Sequence, residues 1–385
     1  MKYNKAFKYR IYPTKQQIIY IEGCFNACRY VYNVSLDCEK QLYENFKGWG
    51  YKSKLSAFDL GYHLKYYKIS SPWLNDYDAL ALEFEMANLA SSYEKFFKGG
   101  GYPRFKSKFD VKQSFRTRQR IKVSDNFIRI PKIKTEIKTV MHRPIEGTPK
   151  QITILKENGK YYASVMCEIN KDIPISNGIK EIGIDVGVKD FMISDNGDKI
   201  ENPKFLRTEA EHMAKLQQRL STMVKSSNNY IKTKKQISNL HEKIKNKRKD
   251  FLHNVSSTLV SEFDIIYMEN LNISGMTRSS KGTIEKHGKN VKQKSGLNKS
   301  ILDVGLGSFG DMLTYKTKFS GKTLVKVNRF FASSKICSTC NTKNTDLKLC
   351  DRIWVCNNCG VELDRDINAA INIKNEGRRV LSEIK

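Results

Sequence analysis

The stretch EIGIDVGVKDFMISDNGDKI, residues 181–200, decides the predicted fold of the second half of the chain. Its apolar run is typical of a buried strand, and Asn196-Gly197 is a favoured two-residue hairpin signal that would end a second strand. Asp185 interrupts the first strand, where an ionised carboxylate is costly unless it is paired, hydrogen-bonded or bound to a metal ion. Gly183 and Gly187 flank it and would let another backbone or a phosphate approach closely.

Two further carboxylates stand at comparable places. Glu269 follows the apolar part of FDIIYMEN, residues 263–270, so it ends a predicted strand, where open α/β sheets place ligands. Asp366 lies in the first turn of the predicted helix DRDINAAINI, residues 364–373, and Asp364 is predicted to be its N-cap. Converging carboxylates bind hard divalent cations such as Mg²⁺. Each acid also has a structural interpretation as a turn residue, a strand end or a cap, so spacing alone leaves the triad open.

The order of predicted elements after residue 178 is strand, hairpin, helices, strand, helix, strand, helix. This order resembles the RNase H topology, in which three or four acidic groups converge. Two Mg²⁺ ions about 3.5–4 Å apart at such a site would activate water and stabilise the departing oxygen of a phosphodiester.

Four of the nine cysteines form two close pairs near the end of the sequence, Cys337-x2-Cys340 and Cys356-x2-Cys359, separated by fifteen residues. This spacing predicts a tetrahedral Zn²⁺ site, and four thiolates leave no open position, so the zinc would hold structure rather than catalyse. The alternative is reactive or buried free thiols. Cys350 breaks the pair rhythm and is predicted to be a spectator.

The charge balance predicts a polyanionic partner. The chain of 385 residues carries 68 Lys and Arg against 40 Asp and Glu, a formal net charge of +28. Nucleic acid is the expected partner, because a membrane-surface protein would concentrate its charge on one face of an amphipathic helix. No stretch approaches the roughly 20 apolar residues of a membrane span, and no apolar stretch at the N-terminus resembles a signal peptide. We therefore expect a cytoplasmic protein without a membrane partner.

Several segments interleave or concentrate cations. PRFKSK, residues 103–108, and SFRTRQR, residues 114–120, set Lys and Arg among Phe105, Phe109 and Phe115, so that cations would clamp phosphates while rings stack on bases. A solvated loop with anchoring rings explains them equally well. Residues 204–250, predicted as a helical hairpin, hold thirteen cations against four acids, and residues 272–300, predicted as a mobile loop, hold seven against one. The candidate nucleic-acid contacts are Arg104, Lys106, Lys108, Arg116, Arg118, Lys247 and Arg248.

The first half of the chain predicts a discontinuous domain. Residues 5–12 alternate as a strand, and Thr14 with Gln17 has the spacing of a capping box that would start a helix. Residues 15–98 are predicted to be helical, and three glycines at 99–101 stop the helices. Residues 121–168 are short alternating runs with a turn at Asn158-Gly159, which predicts an antiparallel sheet or barrel. The simplest assembly returns this sheet to the N-terminal strand.

Taken together in this order, seven motifs resemble the TnpB (OrfB) proteins of 200/605-type insertion sequences, compact relatives of type V CRISPR effectors. They are KAFKYRIYPT, PRFKSK, GIDVGVKDF, NKRKDFLHNVSSTLVSEFDIIYMENLNISGM, SSKICSTC, CNNCG and DRDINAAINI. The resemblance covers most of the chain. It implies an α+β multidomain fold: a β-barrel wedge domain with a helical insertion, then an RNase H-like (RuvC) α/β domain that carries a zinc-ribbon insertion.

The domains that the resemblance implies have the following bounds: wedge 1–14 and 117–178, helical recognition domain 15–116, RuvC-like nuclease 179–332 and 364–385, and zinc-bearing target-nucleic-acid module 333–363. Asn341 departs from the family pattern, since a glycine often follows the second cysteine, and the turn there is expected to differ.

The implied activity is RNA-guided cleavage of double-stranded DNA. Asp185, Glu269 and Asp366 would bind two catalytic Mg²⁺ ions, with Asp185 bridging both, and one structural Zn²⁺ would bind the four cysteines. The implied partners are a guide RNA from the transposon end and a target DNA with a short flanking motif. The protein is expected to be a monomer or weak dimer that acts at the nucleoid of a prokaryote. The alternatives are a guided repressor that never cleaves and a strand-transfer transposase.

Overall fold

A computed structural model describes residues 2–49, 55–173, 180–283, 285–348 and 350–384. The chain forms two compact units, Met1–Asp172 and Ile173–Lys385. The finer domain bounds inside these units stay predictions. Among the helices that the structure describes, none combines the length and the apolar content of a membrane span.

The first unit joins one sheet to a set of helices. Its elements are β1 Lys2–Tyr12, α1 Lys15–Phe46, α2 Ala57–Tyr62, α3 Leu64–Ser70, α4 Ala79–Phe97, β2 Lys112–Thr117, β3 Lys122–Val123, β4 Phe127–Arg129, β5 Ile137–Val140, β6 Thr148–Glu157 and β7 Lys160–Asn170. The antiparallel strands follow the order β2-β6-β7-β1-β5-β4-β3. Because β1 pairs with both β7 and β5, the predicted return to the N-terminal strand is confirmed. The described pairings leave β2 and β3 as edges, so backbone pairing does not close the predicted barrel.

Local signals set the boundaries in this unit. Thr14 and Gln17 form the predicted capping box at the start of α1, since each side chain accepts from the backbone N–H of the other residue. Asn158 and Gly159 both have positive φ, 51° and 72°, which is the geometry of a two-residue turn between β6 and β7. One continuous core then joins the inner face of the sheet to α1 and α4.

The second unit is built on a five-stranded sheet. Its elements are β8 Glu181–Val186, β9 Asp190–Ser194, β10 Lys199–Glu201, α5 Phe205–Thr208, α6 Ala210–Ser221, α7 Asn228–Glu262, β11 Ile265–Glu269, α8 Ile273–Met276, α9 Val291–Val304, α10 Leu306–Phe319, β12 Thr323–Val327, β13 Ile353–Val355, β14 Glu362–Asp364 and α11 Arg365–Ile384. The order is β10-β9-β8-β11-β12, with β13 and β14 as a separate pair. Strands β8 to β10 are antiparallel, and β11 runs parallel to β8 and β12. Along the chain, the strands and helices follow one another in the order that the sequence predicts.

Three local predictions are wrong in this unit. The turn at Asn196-Gly197 spans four residues, because β9 ends at Ser194 and β10 begins at Lys199. The single helix predicted before the last strand of the sheet is divided into α9 and α10, since Gly305 takes a left-handed φ of 78° between them. The loop predicted over residues 272–300 contains α8 and most of α9, whose end is fixed by burial of Ile301 and Val304.

Strand β8 and helix α11 are held in close backbone contact. A Cβ atom at Gly183 would collide with the Ala370 carbonyl oxygen, so the absence of a side chain permits the approach predicted for this glycine. The Asp195 carboxylate accepts from the Gly183 N–H at 2.9 Å and from Lys374 Nζ at 2.5 Å. One largely buried ion pair thus ties the turn after β9 to α11, and the hydrogen bond from Gly183 ties the same turn to β8.

Candidate active site and zinc site

The three predicted carboxylates meet at one edge of the second sheet. Asp185 lies near the carboxyl end of β8, and Glu269 ends β11. The strands are parallel and Met268 pairs with Ile184, so the two acids are the next residues along neighbouring strands. Asp366 is the second residue of α11, which packs against β8, and Asp364 accepts from the N–H groups of Asp366 and Ile367 as the predicted N-cap.

The carboxylates act on one another electrostatically. Burial, followed by the negative charges of Glu269 and Asp366, raises the pKa of Asp185 to about 7. Burial also raises the pKa of Glu269, while a hydrogen bond from Ser333 opposes that shift. The three acids therefore form a concentrated negative site that a cation would stabilise.

Protein cations and donors occupy two of the three acids. Asp366 accepts from Arg352 Nη1 at 2.6 Å and from Arg365 Nε and Nη2 at 3.1 Å. Glu269 accepts from Ser333 Oγ at 2.5 Å. Across the described ranges, the cysteines alone bring three or more ligand atoms within 4.8 Å of one another, so the acids lie near each other without closing into a coordination cage.

A cavity of about 660 Å³ opens beside Asp185 and Asp366. Five cations line it: Lys189, Lys204, Arg207, Arg352 and Arg365. Glu269 lines a neighbouring cavity of about 280 Å³, together with Asn270 and Lys326. Carboxylates that can hold a divalent cation thus stand beside positive side chains that can hold a phosphate.

The four predicted zinc ligands converge. The sulfur atoms of Cys337, Cys340, Cys356 and Cys359 all lie within 4.8 Å of one another, with Sγ distances of 3.7 Å for Cys337–Cys359 and 3.5 Å for Cys340–Cys356. A tetrahedron with bonds of about 2.3 Å has edges of about 3.8 Å, so the set fits Zn²⁺. Hydrogen bonding to Thr342 lowers the pKa of Cys340 to about 5, which favours the thiolate that a metal requires.

Matching turns present the two cysteine pairs. Asn341 and Gly360 follow the second cysteine of each pair, have φ of 60° and 71°, and donate N–H groups at 2.9 Å to the carbonyls of Cys337 and Cys356. The difference expected at Asn341 is therefore absent, because asparagine tolerates left-handed φ better than most residues. Cys350 lies outside the sulfur cluster, as predicted.

Four of the seven candidate nucleic-acid contacts are exposed: Arg104, Lys108, Arg118 and Lys247. Phe105 and Phe109 are also exposed and remain available for stacking, at 53% and 82%. Phe115 is a core residue at 2% exposure, so its predicted stacking on bases is wrong. The alternating pattern that suggested stacking is that of strand β2, and Phe115 lies on the buried face of this strand.

Lys247 lies 3.8 Å from Glu209, and the three less exposed candidates also have partners within the protein. Lys106 pairs with the buried Glu85, and Arg248 pairs with Asp303. Arg116 donates to Asn88 Oδ1 at 3.1 Å. These pairs join residues from 21 to 55 positions apart, which local sequence pattern does not encode.

The sequence analysis missed the polar residues that support the acids. Asn368 and Asn372 on α11 are 1% and 3% exposed, and both donate to the loop that enters the zinc site. Ser333 on that loop holds Glu269. The signal was present, since two asparagines four positions apart interrupt an apolar helix face beside Ala369 and Ile373, where uncompensated amides would be costly.

Comparison with family models gives three matches. The model described as "Probable transposase" (OrfB_IS605) matches residues 164–280, and "Cas12f1-like, TNB domain" matches residues 307–373. A third model, described as "Helix-turn-helix domain" (HTH_OrfB_IS605), matches residues 1–48. The structure forms β1 and the single long helix α1 over the described part of that last range.

Similar proteins extend over nearly the whole chain. "Putative RNA-guided DNA endonuclease InsQ" of Escherichia coli (strain K12) is 30% identical over 385 residues, covering 99% of this chain and 94% of that protein. "Putative RNA-guided DNA endonuclease" of Streptomyces pristinaespiralis is 30% identical and covers 96% and 88%. The solved "Cryo-EM structure of the Cas12f1-sgRNA-target DNA complex" contains a chain that matches with a TM-score of 0.59 at 15% identity, covering 97% and 99%.

A five-stranded mixed sheet with carboxylates at one edge, an inserted four-cysteine module and this structural likeness define a multidomain α/β protein with the fold of a type V effector. At 30% identity over almost its full length, the chain belongs to the TnpB (OrfB) family, which is related to those effectors.

Proposed function

We propose that the protein is a transposon-associated, RNA-guided DNA endonuclease that hydrolyses phosphodiesters of guide-matched double-stranded DNA. The observation that carries the proposal is the meeting of Asp185, Glu269 and Asp366 at one sheet edge, where burial and then the two neighbouring acids raise the pKa of Asp185. The names of the two relatives described above support the same activity.

The donor set fits Mg²⁺. All three side chains offer oxygen ligands, which Mg²⁺ prefers, and their mutual repulsion would be relieved by a divalent cation. Bound in a pair, such ions supply an activated water and stabilise the departing oxygen. In this proposal Asp185, Glu269 and Asp366 would together hold the ions. Arg352 and Arg365, which pair with Asp366, would also be able to bind the phosphate, since guanidinium groups bind carboxylates and phosphates alike.

The charge distribution supports a nucleic-acid path through the second unit. The cations of the larger cavity, with the basic helices α6 and α7, would grip the sugar-phosphate backbone of a guide–target heteroduplex without reading bases. We assign guide-RNA binding and recognition of a short flanking motif to the proposed wedge and recognition domains, residues 1–178. One Zn²⁺ on the four cysteines would hold the 333–363 module, and the protein would act as a monomer or weak dimer.

Cleavage of a matched plasmid tests the proposal. Protein loaded with its copurifying RNA, whose sequence identifies the guide, is expected to nick or cut matched DNA only with Mg²⁺. Asp185→Ala should bind the same DNA without cutting it. Asp198→Ala removes an exposed carboxylate from the same unit and should cut at the parental rate.

Three results would contradict the proposal. If folded, RNA-loaded Asp185→Ala cut DNA at the parental rate, the three carboxylates would not form the catalytic site. Guided binding by the parental protein without any nicking would identify a repressor. Joined transposon ends formed without added RNA would identify a strand-transfer transposase.

A further inference from the structure

The loop that enters the zinc site also touches the proposed Mg²⁺ site. We call residues 333–338 the anchor segment; it begins with a 3₁₀ turn, Ser333–Lys335, and contains the zinc ligand Cys337. Ser333 is buried at 6% exposure, and its Oγ donates to Glu269 Oε1 at 2.5 Å. One short stretch of backbone therefore carries both a zinc ligand and the hydrogen-bond donor to a proposed Mg²⁺ ligand.

Two buried asparagines of α11 fix this segment. Asn372 Nδ2 donates to the carbonyl oxygens of Ser333 and Ile336 at 2.8 and 2.6 Å. Asn368 Nδ2 donates to the Ile336 carbonyl at 2.7 Å, and Asn368 Oδ1 accepts from the Ser338 N–H at 2.8 Å. The Asn368 amide thus brackets Cys337, while the Asn372 amide holds the residue that reaches Glu269.

The same helix carries Asp366 in its first turn. Asn368 and Asn372 lie two and six residues further along, so α11 sets the anchor segment in a fixed relation to Asp366. Buried amides are tolerated when their hydrogen bonds are made, and here every one of these bonds goes to the anchor segment. The arrangement links the cysteine cluster to two of the three acids through few side chains.

We propose that Ser333 is a positioning residue for Glu269 and that zinc binding, acting through Asn368 and Asn372, sets the divalent-metal affinity of the carboxylate site. This rests on the proposed function, because it takes Glu269 as a metal ligand. Zinc closes the cysteine cluster, the asparagines hold the anchor segment, and Ser333 Oγ then orients the Glu269 carboxylate.

Mn²⁺ binding to the full-length protein tests the proposal, with free Mn²⁺ measured by its electron paramagnetic resonance signal. Ser333→Ala removes the donor to Glu269, and partners that orient a metal ligand typically change metal affinity by about 10–100-fold. We expect Mn²⁺ affinity to fall about tenfold in this variant and to recover in Ser333→Thr, which keeps a hydroxyl. Ser334→Ala, on the same turn, is the matched control and should bind Mn²⁺ like the parent.

The zinc site is followed separately by the visible spectrum of Co²⁺ substituted for zinc. Ser333→Ala should keep the parental spectrum and melting temperature, whereas Asn368→Ala and Asn372→Ala should weaken Mn²⁺ binding and also alter the Co²⁺ spectrum. Removing zinc from the parent should lower Mn²⁺ affinity at least as much as Ser333→Ala does.

Parental Mn²⁺ affinity in Ser333→Ala would overturn the proposal, and so would a loss of affinity that Ser333→Thr does not restore. A Ser333→Ala variant that loses its zinc or melts earlier than Ser334→Ala would show a general structural role instead. Failure of the proposed function looks different, because the parent would then bind Mn²⁺ no better than Asp185→Ala.

Discussion

Arg352 Nη1 lies 2.6 Å from Asp366 Oδ2, so the four-cysteine module places a cation directly on one of the three proposed metal ligands. Arg352 immediately precedes β13 of that module, whereas Asp366 lies in the first turn of α11. The guanidinium and a divalent cation compete for the same carboxylate oxygens.

Replacing Arg352 should therefore strengthen metal binding in the absence of nucleic acid. We expect Arg352→Gln to tighten Mn²⁺ binding about two- to fivefold, a small effect because the Arg352 side chain is 42% exposed and its ion pair is partly screened. Titration of nucleic-acid-free protein measures it, with Arg329→Gln as the control. Unchanged or weaker Mn²⁺ binding in Arg352→Gln would contradict the competition.

The raised pKa of Asp185 predicts an unusual dependence of stability on pH. The folded group, with its pKa of about 7, holds a proton between about pH 4 and 7 that the unfolded group, near its ordinary value of 3.8, has lost. Metal-free stability should therefore fall as pH rises through this window. Over the same window Mn²⁺ affinity should rise, because the bound proton must leave.

Asp185→Asn should remove that dependence and raise the stability of the metal-free protein at pH 8, by on the order of 1–3 kcal/mol, since each pKa unit corresponds to about 1.4 kcal/mol. Thermal melting from pH 5 to 8 in chelator measures both effects. The prediction would be contradicted if the melting temperature of the parental protein rose from pH 5 to 7 as steeply as that of Asp185→Asn.

Single replacement of either member of the Asp195–Lys374 pair should be strongly destabilising. Their side chains are 8% and 17% exposed, and removing one partner leaves a largely buried charge, at a cost of about 3 kcal/mol. We expect Lys374→Met to lower the unfolding midpoint of the second unit and Asp195→Leu with Lys374→Met to recover part of the loss. Glu383→Gln, which breaks an exposed pair with Arg379, should have little effect.

The zinc content should depend on four cysteines out of the five in the module. Cys356→Ser is expected to lower bound zinc below one per chain and to change the Co²⁺ charge-transfer bands of the site, because it removes one thiolate. Cys350→Ser should retain one zinc, since Cys350 lies outside the cluster. Metal analysis of the two purified variants measures their zinc content. Equal zinc loss in both variants would contradict the four-ligand site.

Features set by neighbours in sequence were predictable, whereas features set by distant contacts were not. The capping box of Thr14 and Gln17 and the turn at Asn158-Gly159 depend on residues within a few positions, and both formed as predicted. The cysteine pairs also converged, since the spacing within each pair builds the turn. These local interactions do not require contacts between residues that are distant in sequence.

Each carboxylate could be identified as a candidate from the predicted strand or helix that carries it, and the family resemblance joined the three, whereas their partners could not be predicted. Arg352 reaches Asp366 across fourteen positions and Ser333 reaches Glu269 across sixty-four, through contacts that exist only once α11 lies on the sheet. The four-residue turn after β9 has the same origin, since Asp195 is drawn back to Gly183 and Lys374. Lys106 and Arg248 looked available for phosphate because Glu85 and Asp303 are remote in sequence.

The amide bracket around Cys337 has a consequence for protein engineering. A cysteine module grafted from a relative would arrive without the side chains that seat it, because those side chains belong to the helix that follows the insertion. Chimeras that exchange residues 333–363 alone should form the two cysteine turns, but they should no longer orient the Glu269 carboxylate. Exchanging the module together with positions 368 and 372 would transfer both the anchor segment and the side chains that form hydrogen bonds with it.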